Sequence, residues 1–429
     1  MVSALGPLLL RNEDPAVWVA AAIGAGDRAA LRAGKARAPG IEVRLLDIDE
    51  HLHRLHYDIV SNSVLWFLHH GIFDLVRRPL FDPAFREAWD AYAAVNEVFA
   101  AAVCEAAHDG DVVLVQDYQL ALVPSMVRRV RPDLQVLHFT HTPFCGPGGI
   151  RVLPDDVAAA ICGSMGGGPS GFHTPRWAAA YRASVREVLG GGAASHSPFA
   201  SSLGPDRAAL EEVAASPAAA EARRSLDDLV GDRALIVRTD RVEPSKNLVR
   251  GFLAYDLLLK ERADLRGRVV FVAMVYASRQ RLAEYVEYAN EVEEAVSTVN
   301  ERWGTRDWQP IVLDDRDDFA RSVAGLQRYD ALLVNPLIDG LNLVAKEGPL
   351  LNERDGVLCL SRGAGAFDEL GDAAREVHPY DLEQTARSLA AALDEPAAER
   401  AARARRLREL AGARTPVMWL DDLLGHAGS

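Results

Sequence analysis

The chain has 429 residues, of which 49% are hydrophobic and 25% charged, and a formal net charge of −14. That length exceeds one ordinary hydrophobic core and predicts two domains, while the composition excludes a disordered chain. The acidic balance excludes a general nucleic-acid or acidic-membrane surface, so any bound anion must be met by a local cluster of cations.

In chain order, "YDIVSNSVLW" (57–66) places two aromatics around a Ser-Asn pair. "DVVLVQD" (111–117) and "LQVLHFTH" (134–141) are β-rich apolar runs that predict fully buried strands, and "GSMGGGPSG" (163–171) predicts a flexible loop. "EEVAASPAAAEARRSLDDLVGD" (211–232), Ala-rich and charged, predicts a helix and linker between two strand groups. Four more buried strands are expected at "ALIVRTD" (234–240), "RVVFVAMVY" (268–276), "ALLVNP" (331–336) and "GVLCLS" (356–361), alternating with helices such as "NLVRGFLAYDLLLK" (247–260) and "EYVEYANEVEEAVSTVNERW" (284–303). Strands alternating with helices make βαβ units and parallel sheets, hence an α/β fold of two doubly wound, Rossmann-like domains. The expected division is 1–212 and 213–405, with 406–429 supplying a last helix, "PVMWLDDLL" (416–424), that packs back on the first domain.

No run of about 18 apolar residues and no basic-then-apolar leader is evident, so a cytoplasmic location without membrane or nucleic-acid partners is expected. Cys104, Cys145, Cys162 and Cys359 are scattered without a C-x-x-C pair, which predicts structural thiols.

The residues that follow the six strands carry the chemistry. Asp117 and His141 end the first two, Arg241 with Lys246 and then Arg279 follow the next two, and Asp339 and "RGAG" (362–365) follow the last two. Ligands of open parallel sheets bind beyond the carboxyl ends of strands, so an inter-domain cleft lined by these groups is expected. The chain holds four lysines, and Lys246 in "DRVEPSKN" (240–247) is one of them. Beside Arg241 and ahead of a helix it suits a diphosphate, a compact charge next to a guanidinium and exposed backbone N–H groups. A solvated loop with Arg241 bridged to Glu243 is the competing reading. In "DGLNLVAKEG" (339–348), Asn342 and Lys346 share one helical face and Leu343 and Glu347 the next, so Glu347 lies beside apolar surface and needs a partner. That partner is a ribose diol on one reading and an arginine on the other. A lone histidine such as His141 in "HTPFC" (141–145) is more often a satisfied structural residue than a catalytic one, and Tyr57 and Trp66 read either as sugar-stacking rings or, the commoner case, as core aromatics. "RGAGAFDELG" (362–371) lacks a dinucleotide fingerprint but permits a close backbone approach to a phosphate or sugar. None of these stretches carries an Asp-x-Asp pair, and a metal-free site without a cofactor is expected.

Together, "SNSVLW", "VQDYQLALVP", "HTPF" with "RVLP" (151–154), "DRVEPSKN", "DGLNLVAKE" and "SRGAGAFDELG" resemble, in order and spacing, the trehalose-6-phosphate synthase family of retaining glycosyltransferases, whose fold is GT-B. The resemblance covers nearly the whole chain. It implies a nucleotide-sugar donor and a sugar-phosphate acceptor, with glucose transferred to glucose 6-phosphate. Arg241 and Lys246 would hold the diphosphate, Glu347 the ribose and Asp339 the donor hydroxyls, with Asn342, Leu343 and Val344 completing the donor site. His141 would meet the donor sugar near its 6-hydroxyl. Arg279 would bind the acceptor phosphate, with Tyr57, Trp66 and Asp117 shaping the acceptor site. A homo-oligomer is compatible with it.

The sequence departs from the family pattern in places. "Y-x-K-G" reads "EPSKN", "D-Y-H" reads "DYQ" (117–119), Gly148 and Gly149 replace a polar position, and Arg362 stands where an acidic residue is common. These forms are similar to an actinobacterial branch that favours GDP-glucose, and to pseudoglycosyltransferases that join aminocyclitols. The opening "MVSALGPLLLRNEDPAVWVAA" resembles the segment after the family's first strand and Gly-rich loop, so both are expected to be missing. A non-catalytic sugar-phosphate-binding homologue is the reading that this last feature favours.

Overall fold

The computed structural model describes residues 5, 6, 8, 9, 16–34, 37, 38, 41–190 and 198–428. Most of residues 1–15, on which the expectation of a missing first strand partly rests, lie outside that set. The chain divides into two compact units: unit 1 comprises 1–202 and 416–429, and unit 2 comprises 203–415.

In unit 1, β1 (Ala16–Ala21), β2 (Arg37–Ala38) and β3 (Ile41–Leu46) form one sheet in the order β1-β3-β2, with β1 parallel to β3. A second sheet, parallel throughout, runs β4 (Val112–Gln116), β5 (Gln135–Thr140), β6 (Ser170–Phe172), β7 (Phe199–Ala200). Both sheets contribute to one apolar cluster, in which Val19, Ala21 and Leu46 pack against Val115, Val136 and the face of helix Pro83–Ala106 that carries Val95 and Phe99. That helix starts where Asp82 accepts a hydrogen bond from the Phe85 N–H at 2.9 Å and Pro83 supplies a pre-set φ. Contrary to expectation β4 is only partly buried, and Val112 is exposed.

The glycines of 163–171 are not a flexible loop. They finish the helix Asp155–Gly166 and enter β6. A Cβ at Gly168 would lie 2.3 Å from the Arg128 guanidinium, and one at Gly171 2.5 Å from the Phe139 ring. These positions are small because neighbours press on them.

Unit 2 holds β8 (Ala234–Val242), β9 (Val269–Ala277), β10 (Ile311–Asp314), β11 (Ala331–Val334), β12 (Val357–Ser361) and β13 (Arg375–Val377). All pairs are parallel and the order is β10-β9-β8-β11-β12-β13. Counted within the unit this is 3-2-1-4-5-6, the doubly wound order, whose direction reverses between β8 and β11. Ile236, Phe271, Leu333 and Cys359 form a dry core with helices Leu248–Glu261 and Ala283–Trp303.

The stretch read as linker is part of this unit. Helices Arg207–Ala214 and Pro217–Val230 pack on helix Phe319–Arg328, where Arg328 Nε donates to Asp227 Oδ1 at 2.8 Å. The first boundary therefore falls at 202/203, ten residues before the expected one. The helix Ala397–Ala411 also stays in unit 2, because Arg403 meets the buried Glu395 at 2.8 Å and Arg408 meets Asp355 at 3.0 Å, so the second boundary is 415/416. Helix Pro416–Ala427 belongs to unit 1, where Trp419 is fully buried with its ring edge-on to Phe139. No helix among the described residues is long and apolar enough to cross a membrane.

Candidate active site

The reversal of strand order in unit 2 opens its sheet between the carboxyl ends of β8 and β11, and there the predicted donor residues gather. After β8 the chain makes a tight turn at Pro244–Lys246 and passes Asn247 in the left-handed region (φ 61°) before the helix begins. Only glycine and short polar residues adopt that conformation readily, so Asn can stand where the related pattern has Gly. The Asn247 amide locks the turn by donating to Asn335 O at 3.0 Å and Pro379 O at 2.7 Å.

Lys246 Nζ meets Asp339 Oδ2 at 2.5 Å, and the Asn342 amide donates to the same oxygen at 3.2 Å. Burial opposes the ammonium, but Asp339, Asp240 and Glu243 outweigh it and hold Lys246 above the usual lysine range. Asn342 (φ 81°) also caps the helix Val344–Leu351 by accepting from the Ala345 N–H at 3.2 Å. Asp339 is held by backbone on both sides: its N–H donates to Gly363 O and its carbonyl accepts from the Gly365 N–H, each at 3.1 Å. A Cβ at Gly363 or Gly365 would lie 2.2 Å from Leu337 O or 2.0 Å from Gly340 O. The close approach expected of "RGAG" is therefore to the Asp339 loop. Arg362 pairs with Glu376.

Arg241 is exposed, and its Nε lies 3.4 Å from Glu243 Oε1, so the bridge weighed in the sequence does form. Neither terminal guanidinium nitrogen of Arg241 makes a hydrogen bond among the described residues. Arg279, in the left-handed region at φ 41°, reaches the same carboxylate oxygen at 3.6 Å and also contacts the Tyr285 hydroxyl. Leu343 and Val344 sit half-buried at the start of their helix. Glu347 has no ion pair or side-chain hydrogen bond among the described residues, and burial pushes its carboxyl up to about 7. The arginine partner considered for it is absent from that set.

In unit 1, His141 has both ring nitrogens engaged: Nδ1 lies 3.1 Å from His173 Nε2 and Nε2 lies 2.9 Å from Gln116 Oε1. Burial and then His173 hold it well below the usual histidine range, so it is neutral at pH 7. Asp117, at φ 67°, directly follows β4 and accepts from the His141 N–H at 3.1 Å. Tyr57 lies within a π-helical segment, Leu55–Leu65, and Trp66 follows it directly; this rare form is frequent at functional sites. Tyr57 is half-buried and stacks on His53 with ring centroids 5.4 Å apart. Trp66 is 2% exposed, with its ring 4.2 Å from that of His70, so its place is in the core that supports the segment. Among the described residues no group of three His, Cys, Asp or Glu side chains is arranged to hold a metal ion.

Residues 10–427 match glycosyltransferase family 20. The chain belongs to this family. It is 32% identical over 381 residues to a bifunctional trehalose-6-phosphate synthase/phosphatase of Thermoproteus tenax, covering 86% of this chain but only about half (51%) of that relative. It is 28% identical over 424 residues to validamine 7-phosphate valienyltransferase of Streptomyces hygroscopicus subsp. jinggangensis, covering 94% of this chain and 84% of the relative. Its structure is similar to that of a UDP-forming alpha,alpha-trehalose-phosphate synthase from Burkholderia vietnamiensis, with a TM-score of 0.85 and 26% identity over 97% of this chain and 100% of the other. The fold is thus the GT-B type expected of family 20, with two α/β units built on parallel sheets.

Arg238 escaped the sequence reading, and the parts played by Lys346 and Glu243 in this family 20 site were not foreseen there. Arg238 is fully buried and donates to both Asp240 Oδ2 (2.8 Å) and Lys246 O (2.9 Å), fixing the turn from beneath. Gly251 leaves room for it, since a Cβ there would lie 2.8 Å from the guanidinium. Lys346 is also fully buried and meets Glu369 at 2.8 Å and Leu203 O at 3.1 Å, anchoring the helix that carries Glu347. Glu243 holds two arginines. A charged residue inside an otherwise apolar strand, as Arg238 is in "ALIVRTD", was the available signal.

Proposed function

We propose that the protein transfers glucose from a nucleotide sugar, GDP-glucose or UDP-glucose, to glucose 6-phosphate, forming α,α-trehalose 6-phosphate with retention. The observation that carries this reading is the pair of cations at the strand-order reversal, Arg241, exposed and without a hydrogen bond from its terminal nitrogens among the described residues, and Lys246 in contact with the Asp339 carboxylate. A diphosphate suits both cations. Once Lys246 turns to it, Asp339 becomes an acceptor for donor-sugar hydroxyls. Glu347, a half-buried carboxyl without a protein partner among the described residues, suits a ribose diol that donates two hydrogen bonds. Asn342, Leu343 and Val344 line the same segment.

Arg279 takes the acceptor phosphate in this proposal, while Tyr57, Asp117 and His141 contact the sugars and Trp66 supports them. The acceptor hydroxyl attacks the anomeric carbon from the face that the nucleotide leaves, and its proton passes to the departing phosphate oxygen. Arg241 and Lys246 stabilise the charge that grows there, and no protein nucleophile is needed.

A second reading is supported by the similarity to the valienyltransferase over 94% of the chain: coupling of a nucleotide-activated cyclitol to an aminocyclitol phosphate. Arg279 would serve either acceptor. Incubation with glucose 6-phosphate and each of GDP- and UDP-glucose, followed by mass and NMR analysis, tests the first reading. An α,α-linked disaccharide phosphate supports it. Turnover only with the cyclitol pair would replace it with the second, and no turnover with any pair would leave a binding protein.

A further inference from the structure

Glu243 lies at the centre of the cation cluster and is 1% exposed. The register of β8 and β9 explains its position. Val242 pairs with Ala277 as the last rung, so Glu243 and Ser278 leave the sheet side by side with Arg279 next in line. The Ser278 hydroxyl donates to Glu243 Oε1 at 3.1 Å, and the same oxygen lies 3.4 Å from Arg241 Nε and 3.6 Å from Arg279 Nη1. A carboxylate this buried is costly unless cations surround it, and two do. The geometry has a directional effect. Arg241 approaches Glu243 through Nε, and its terminal nitrogens, suited to a phosphate, make no hydrogen bond among the described residues. Arg279 is fixed through Nη1 by the carboxylate and by Tyr285, which offsets the cost of its left-handed backbone.

We propose that Glu243 is a positioning residue that aims two phosphate grips through one carboxylate, Arg241 for the leaving diphosphate and Arg279 for the acceptor phosphate. The inference rests on the functional reading above for what each arginine binds. It adds that the two grips are coupled within unit 2, so loss of one charge loosens both. Mutation of either arginine alone should move one kinetic parameter, whereas loss of Glu243 should move two.

Glu243→Gln keeps the shape and an acceptor for Ser278. The expected result is a KM for glucose 6-phosphate raised about tenfold together with a kcat lowered about tenfold, within the usual range of site-to-site coupling. Thermal stability should change little. In an Arg279→Ala background Glu243→Gln should no longer alter KM, and in an Arg241→Ala background it should no longer alter kcat. Where turnover is too slow to follow, calorimetric affinities for GDP or UDP and for glucose 6-phosphate replace the two parameters. Additive effects in both backgrounds, or a loss of thermal stability with both parameters unchanged, would overturn the proposal. If Glu243→Gln does not fold, Glu243→Asp decides: both parameters must shift, and a shift in one or neither refutes the coupling. Failure of the underlying reading looks different, because Arg241→Ala and Arg279→Ala would themselves leave nucleotide and sugar-phosphate affinity unchanged.

Discussion

Asp339→Asn should tighten binding of a bare nucleoside diphosphate while failing to tighten binding of the nucleotide sugar. Lys246 and Asp339 lie 2.5 Å apart with side chains 12% and 15% exposed. Two unit charges at that distance attract by about 7 kcal/mol at an effective dielectric of about 20, before any solvation cost. Taking two ions largely out of water cancels most of that. A net value of about 1.5 kcal/mol remains, above a surface pair and at the low end of close charge pairs. A diphosphate that recruits Lys246 must first overcome this pairing. Substitution by Asn removes it and also removes a nearby negative charge, so GDP and UDP should bind about tenfold tighter, since 1.4 kcal/mol is one factor of ten. A nucleotide sugar gains the same release but loses hydrogen bonds from its hydroxyls to a charged acceptor, worth about 1.5–3 kcal/mol. Its affinity should stay level or fall. Calorimetry of both proteins with GDP, UDP and their glucose conjugates measures the contrast. Weaker binding of the bare diphosphate by Asp339→Asn, or equal tightening of both ligands, would refute the argument that Lys246 exchanges one anion for the other.

Lys246→Ala should lower kcat about a hundredfold, the usual effect of losing one donor at a charge-developing centre, with Lys246→Arg recovering part of it and Arg279→Ala acting on the acceptor KM instead. Burial raises Glu347 to about 7, so the folded protein keeps a proton that an unfolded glutamate has already released. Stability is therefore lost as pH rises from the ordinary glutamate range through about 7, by up to about 3 kcal/mol, and Glu347→Gln should raise the Tm relative to the parent at pH 8 more than at pH 5. If ribose hydroxyls bind the ionised form, nucleotide binding near pH 7 should release a proton, seen as a buffer-dependent calorimetric enthalpy. Gly365→Ala should destabilise unit 2 by about 1–3 kcal/mol and weaken the nucleotide sugar, because the new Cβ would lie 2.0 Å from Gly340 O and displace the Asp339 loop. An unchanged melting curve would contradict that.

Much of this protein is written in local pattern. The six apolar runs became β4, β5, β8, β9, β11 and β12 within a residue or two of the expected bounds at most ends, because strand and helix preference depends on residues close in the chain. Long helices such as Ala283–Trp303 were equally legible, and the motifs together pointed to the family. What pairs with what was not legible. Lys246 and Asp339 are 93 residues apart and meet only because β8 and β11 are neighbours at the reversal of strand order. Glu243 looked like a solvated partner of Arg241 until the β8–β9 register set Ser278 and Arg279 beside it. The glycines at 163–171 suggested looseness, yet their spacing answers to Arg128 and Phe139, which lie elsewhere in the chain. The boundary near 212 was misplaced for the same reason, since a charged Ala-rich helix shows its own periodicity but not the helix it packs against. Residue type and spacing therefore determined which elements form and which chemistry is available. Burial, register and charge pairing at a distance, which no local pattern encodes, decided which groups share an anion and which carboxyl stands without a partner among the described residues.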